Sequence, residues 1–79
     1  MDYEWLANRL INNEYAEDMP ELGKDECEKV LSLIFEKTGK AHLLIVNVNI
    51  DLDGICYDYI LDNNDTNKVL INEWDNRYL

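Results

Sequence analysis

Along the chain the apolar positions recur first every three to four residues and then, from His42 onward, at every second residue. The first rhythm predicts α-helix, the second a β-strand with one face turned to a core. From Asp2 to about Asn13, Leu6 and Leu10 lie four apart, with Tyr3 and Ala7 on the adjoining stripe. Asp2 stands where an N-cap is needed. A connection follows over 17–23, punctuated by Pro20 and Gly23. The second helix is the clearest element. Cys27, Val30, Leu31 and Ile34 follow the i, i+3, i+4, i+7 pattern with Phe35 beside them. Acids gather in its first turns and Lys37 and Lys40 near its end, as the helix dipole favours, and Gly39 supplies the stop.

After the helix, Leu44, Val46, Val48, Ile50 and Leu52 fall on one side of a strand, and Asn47, Asn49 and Asp51 on the other. Asp53-Gly54 is a strong two-residue hairpin signal, with both residues at positive φ. A turn there sets Leu52 opposite Ile55, Ile50 opposite Tyr57, Val48 opposite Tyr59 and Val46 opposite Leu61. All eight then share one side of the sheet. The same pairing sets Asp51 opposite Cys56, Asn49 opposite Asp58 and Ile45 opposite Asp62. Residues 63–67, Asn-Asn-Asp-Thr-Asn, read as a loop before a third strand from about Lys68 to Trp74. That strand directs either Val69 and Ile71 or Leu70 and Trp74 to the core. The expected architecture is α+β: two N-terminal helices packed on one face of a three-stranded antiparallel β-meander, in the order ααβββ.

Composition adds one strong feature. The 79 residues hold 17 acidic and 7 basic side chains, a formal net charge of −10. Residues 1–40 and 41–79 each carry net −5, so the charge is spread over one small acidic domain spanning 1–79. A hydrophobic share of 47% is ordinary for a folded chain, which sets disorder aside. Uniform negative charge opposes direct binding to nucleic acid or to anionic membrane, since both are polyanions. The complement is a basic protein surface. The N-terminus Met1-Asp2-Tyr3-Glu4-Trp5 is acidic and lacks the apolar run of a secretory signal. Two thiols, Cys27 and Cys56, are too few for a disulfide scaffold, and a cytoplasmic location is expected.

Catalytic groups do not converge in the pattern. His42 is the single histidine and is expected at the surface or at a strand edge, with no Ser or Cys at a recognisable catalytic spacing. Two Cys and one His cannot complete a four-ligand zinc site without carboxylates. Asn49-Ile50-Asp51-Leu52-Asp53-Gly54 matches the opening of a calcium loop, but its twelfth position is Ile60 where a bidentate Glu is required. No metal or cofactor is expected, and no enzyme activity. Cys27 reads as a small core residue, and Cys56 as an inert thiol on the polar side of the sheet.

The uncovered sheet face is therefore the candidate binding surface. It is expected to carry Asn47, Asn49, Asp51, Asp58 and Asp62, extended by Asp53 at the turn and Asp65 in the loop. Carboxylates at alternate strand positions recur about every 6.5–7 Å, of the order of the phosphate repeat along a nucleic-acid strand. Trp5, off the Leu6/Leu10 stripe, is the aromatic expected to contact a partner. In size, charge and helix-then-strand order the chain is similar in kind to phage-encoded inhibitors of nucleic-acid enzymes: anti-CRISPR, anti-restriction and uracil-glycosylase inhibitor proteins. It shares no motif with them. The likeness implies a DNA-mimic type of inhibitor, acting in a host cytoplasm on a defence or DNA/RNA-processing enzyme. Alternatives are an immunity protein that neutralises a basic toxin such as a nuclease, and a small adaptor or structural subunit. A monomer or a homodimer is expected.

Overall fold

The structure is a computed structural model, and it describes residues 2–12 and 21–75, without the side chains of Asp51 and of residues 73–75. The expectations for residues 17–20 and for the facing of Trp74 lie outside that range. The element order is α1 (Tyr3–Ile11), α2 (Lys24–Thr38), β1 (His42–Asp51), β2 (Gly54–Asn63) and β3 (Lys68–Asp75). Asp2 caps α1, its Oδ1 accepting the Trp5 N–H at 3.1 Å. Glu26 works in two directions at the start of α2. Its Oε1 accepts the Gly23 N–H at 3.2 Å, and its Oε2 accepts the Tyr3 hydroxyl at 3.4 Å, which ties the two helices together. Gly39 ends α2 in the left-handed conformation at φ +72°, a position that disfavours any residue with a Cβ.

The sheet is mixed, with strand order β2-β1-β3. β1 and β2 form the expected antiparallel hairpin, but β3 runs parallel to β1 on its other side, so the all-antiparallel meander is corrected. A parallel neighbour needs a crossover of a dozen or more residues. Residues 52–67 between β1 and β3 supply it, with β2 itself as the returning segment. The short connection 64–67 carries the chain across the start of β1, and Asn67 pins it there by accepting the His42 N–H on Oδ1 at 3.1 Å. The run Leu43-Leu44-Ile45-Val46 gives the central strand apolar side chains on both faces.

The hairpin register also differs from the expected one. Its loop is Leu52-Asp53, closed by Asp51 opposite Gly54, rather than Asp53-Gly54. Gly54 takes φ +133°, a backbone state open to glycine, as the chain re-enters the sheet. Partners therefore shift: Leu44 pairs with Leu61, Val46 with Tyr59, Val48 with Tyr57 and Ile50 with Ile55. Side-chain alternation has period two, so this shift exchanges partners without exchanging faces.

The core lies between the helices and one sheet face. It consists of Leu6, Ala7 and Leu10 of α1, Leu22 of the connection before α2, Cys27, Val30, Leu31 and Ile34 of α2, Leu44 and Val46 of β1, and Tyr59 of β2. Val69 of β3 packs against it, which settles the facing of the third strand in favour of Val69 and Ile71. Phe35, expected beside the apolar stripe, is exposed on α2. The buried Tyr59 reaches from the sheet to the inter-helix connection, its hydroxyl accepting the Leu22 N–H at 3.0 Å. The Cys27 thiol donates to the Leu22 carbonyl at 3.9 Å, so both polar groups of Leu22 are held. Among the described residues no helix is long and apolar enough to cross a membrane.

Candidate functional site: the uncovered sheet face

Leu44 and Val46 point into the core, so Leu43, Ile45, Asn47 and Asn49 project from the opposite face of β1. Register extends this face into rows across β2, β1 and β3. Successive rows are Asp62–Leu43–Lys68, Ile60–Ile45–Leu70 and Asp58–Asn47–Asn72, with Cys56 beside Asn49 beyond them. Asp58 thus stands beside Asn47 and Asp62 beside Leu43, where the Asp53-Gly54 turn would have set them beside Asn49 and Ile45. Asn72 donates from Nδ2 to Asn47 Oδ1 at 3.1 Å, which fixes both amides across the β1–β3 pair.

The predicted site residues are brought together in part. Asn47, Asn49, Asp58 and Asp62 share the face, with Asp58 and Asp62 exposed. Asp53 lies exposed in the hairpin loop at the far end of the sheet. Asp51 closes that loop through its backbone, and its side chain is outside the described residues. Asp65 is exposed in the crossing loop. Trp5 does not join them. It is half-exposed on α1, in the layer on the other side of the sheet, with the Arg9 guanidinium 4.5 Å from its ring centroid.

The regular comb of carboxylates is also corrected. Asp58 and Asp62 are four residues apart on one strand, about 13 Å, and the position between them on that face is Ile60. The row Ile60–Ile45–Leu70 is an apolar bar across the middle of the face, with Leu70 exposed. Sequence reasoning missed it because the hairpin was read by period-two alternation, which put Ile45 and Ile60 on the polar side, and Leu70 lay on a strand of undecided facing. The signal was the unbroken run Leu43-Leu44-Ile45-Val46, which puts apolar side chains on both faces of β1.

Reactive chemistry is sparse. His42 is buried rather than at the surface, with Nδ1 3.0 Å from the Lys40 carbonyl, a geometry in which that nitrogen donates. Cys27 is fully buried, and burial followed by the nearby Glu26 and Glu28 pushes its thiol up to about 11. Such a thiol is protonated and unreactive at neutral pH. Cys56 is exposed on the open face. Among the described residues no three His, Cys, Asp or Glu side chains converge on a point that could hold a metal ion. A cleft of about 200 Å³ between α2 and the start of β3 is lined by Glu28, Leu31, Ser32, Asn67, Lys68 and Val69. It is smaller than the roughly 300–1,000 Å³ that encloses a drug-sized ligand. Comparison with protein families, with curated proteins and with solved structures found no match.

Proposed function

We propose that this chain is a non-enzymatic inhibitor that binds and blocks the basic nucleic-acid-binding surface of a defence or DNA/RNA-processing enzyme, in the cytoplasm of the host cell. One observation carries the reading. The helices leave one face of the sheet uncovered, and its exposed carboxylates Asp58 and Asp62, with Asp53 and Asp65 in the adjoining loops, outnumber the one Lys68 in its rows. A surface with an excess of one sign steers a partner of the other, giving fast association that weakens with salt. The mixed character of the face, Asp58 and Asp62 on either side of an apolar bar, suits a protein surface better than it suits continuous phosphate mimicry. An immunity protein against a basic toxin would use the same physics.

The apolar bar favours one second reading, an adaptor subunit held by burial of Ile45, Ile60 and Leu70. The two readings separate by salt. In a tagged pull-down from host lysate, an inhibitor of this kind recovers a basic nucleic-acid enzyme that leaves at high salt. The variant Asp58→Lys/Asp62→Lys should recover none of it while keeping its far-ultraviolet circular dichroism. Retention of the partner by that variant, or through a high-salt wash, would discard the electrostatic reading in favour of the adaptor.

A further inference from the structure

We propose that the tip of the β1–β2 hairpin is an apolar wedge that enters a cleft with an apolar floor and a Lys/Arg rim on the partner protein; the inference rests on the basic-partner reading above. The hairpin outruns the helix layer beneath it, and β3 accompanies β1 only as far as Ile50, leaving the turn beyond. Two ten-residue strands extend about 33 Å, whereas the fifteen residues of α2 cover about 22 Å. The core accordingly fades along the hairpin. Val46 and Tyr59 are 1% and 2% exposed, Val48 and Tyr57 are half-buried, Ile55 is 56% exposed and Leu52 is 106% exposed. The molecule measures 42 × 24 × 20 Å, and its radius of gyration of 13.0 Å exceeds the roughly 11.6 Å of a compact chain of this length.

The projecting part keeps the side-chain chemistry of a core without being one. On the helix side Val48 pairs with Tyr57 and Ile50 with Ile55, and Leu52 lies fully exposed in the turn that follows β1. A contiguous exposed aliphatic tip marks an interaction site more than scattered single residues do. The wedge is held in shape by the strand ladder and by the Tyr57 ring stacked on Tyr59, centroids 6.5 Å apart at 18°, so little ordering is needed on insertion. Charge selects the occupant. Asp53 lies in the turn itself, Asp58 on the reverse face, and no Lys or Arg occurs between Lys40 and Lys68. A second copy, also at −10, would bring like charge to like charge, and an anionic membrane would repel the tip in the same way. A protein cleft with a basic rim satisfies both the apolar tip and its carboxylates.

The test is photo-crosslinking with the full chain carrying p-benzoylphenylalanine in place of Leu52, and separately in place of Asp62, irradiated in lysate of the native host cell. The expected result is an adduct from position 52 that maps by mass spectrometry to an apolar cleft flanked by Lys or Arg. Excess wild-type protein should compete it away, and Leu52→Ser/Ile55→Ser should compete about 30-fold less well. Both side chains are exposed, so the double variant should keep the wild-type denaturation midpoint. An adduct from position 62 with none from 52 would overturn the wedge and leave the basic-partner reading standing. No adduct from either position would overturn both. Equal competition by the double variant, or an adduct on a polar flat surface, would overturn the wedge alone.

Discussion

Replacing Tyr59 by Phe deletes one oxygen from the interior, and its effect follows from what that oxygen accepts. The hydroxyl holds the Leu22 N–H at 3.0 Å where Leu22 is buried and Tyr59 is 2% exposed. In the variant a backbone donor loses its partner in a place water does not readily reach, which costs about 1–3 kcal/mol. Against a total stability of about 4–8 kcal/mol for a domain of this size, that is a large share. With a urea slope of about 1 kcal/mol per molar, the midpoint of Tyr59→Phe should fall by about 1–3 M. The same residue should shape the alkaline limb. Burial, the largest cause, pushes the Tyr59 hydroxyl up to about 12, outweighing the Leu22 N–H, which lowers it. The unfolded phenol ionises near 10. A raised native value means the unfolded chain loses its proton first, so the contribution is complete below pH ~10 and disappears as pH rises to ~12. The two-unit difference corresponds to roughly 2–3 kcal/mol. Urea denaturation followed by circular dichroism from pH 7 to 12 should therefore show wild type losing its advantage over Tyr59→Phe between about pH 10 and 12. Parallel profiles for the two proteins, or a midpoint change under about 0.3 M at pH 7, would refute this account of Tyr59 and Leu22.

Other consequences are as direct. Titration with a thiol reagent at pH 8 should modify Cys56 at once and Cys27 only on unfolding, giving one reactive thiol per native chain and two in denaturant. Two fast thiols in the native protein would contradict the burial of Cys27. Leu44→Ala removes a fully buried side chain at the centre of the core and should cost about 2–5 kcal/mol, lowering the calorimetric Tm by at least about 8 °C. A cooperative transition within a few degrees of wild type would mean that the site collapses around the cavity.

Most of the local structure was legible along the chain because it depends on near neighbours. The cap at Asp2, the apolar stripe of α2, the stop at Gly39 and the alternation of the hairpin are each set within a few residues. The assignment of Leu44, Val46 and Tyr59 to the core face came from period-two alternation alone, and it survived a register different from the expected one. The net charge and its even spread likewise need no coordinates.

What the chain pattern left open are the choices that alternation treats as equal. The Leu52-Asp53 and Asp53-Gly54 turns put the same side chains on the same faces, so only the conformation of Gly54 and the packing of Val46 against Tyr59 distinguish them. An antiparallel β3 beside β2 and a parallel β3 beside β1 use the same apolar residues. The difference lies in contacts far apart in sequence, such as Asn67 with the His42 N–H and Val69 with the core. The candidate site depends on those contacts, because the parallel placement of β3 is what brings Leu70 into line with Ile45 and Ile60. Helix and strand identity are local and were determined by the sequence. Strand order, the apolar bar on the open face and the projection of the hairpin beyond its core are products of long-range packing, and only the tertiary structure decided them.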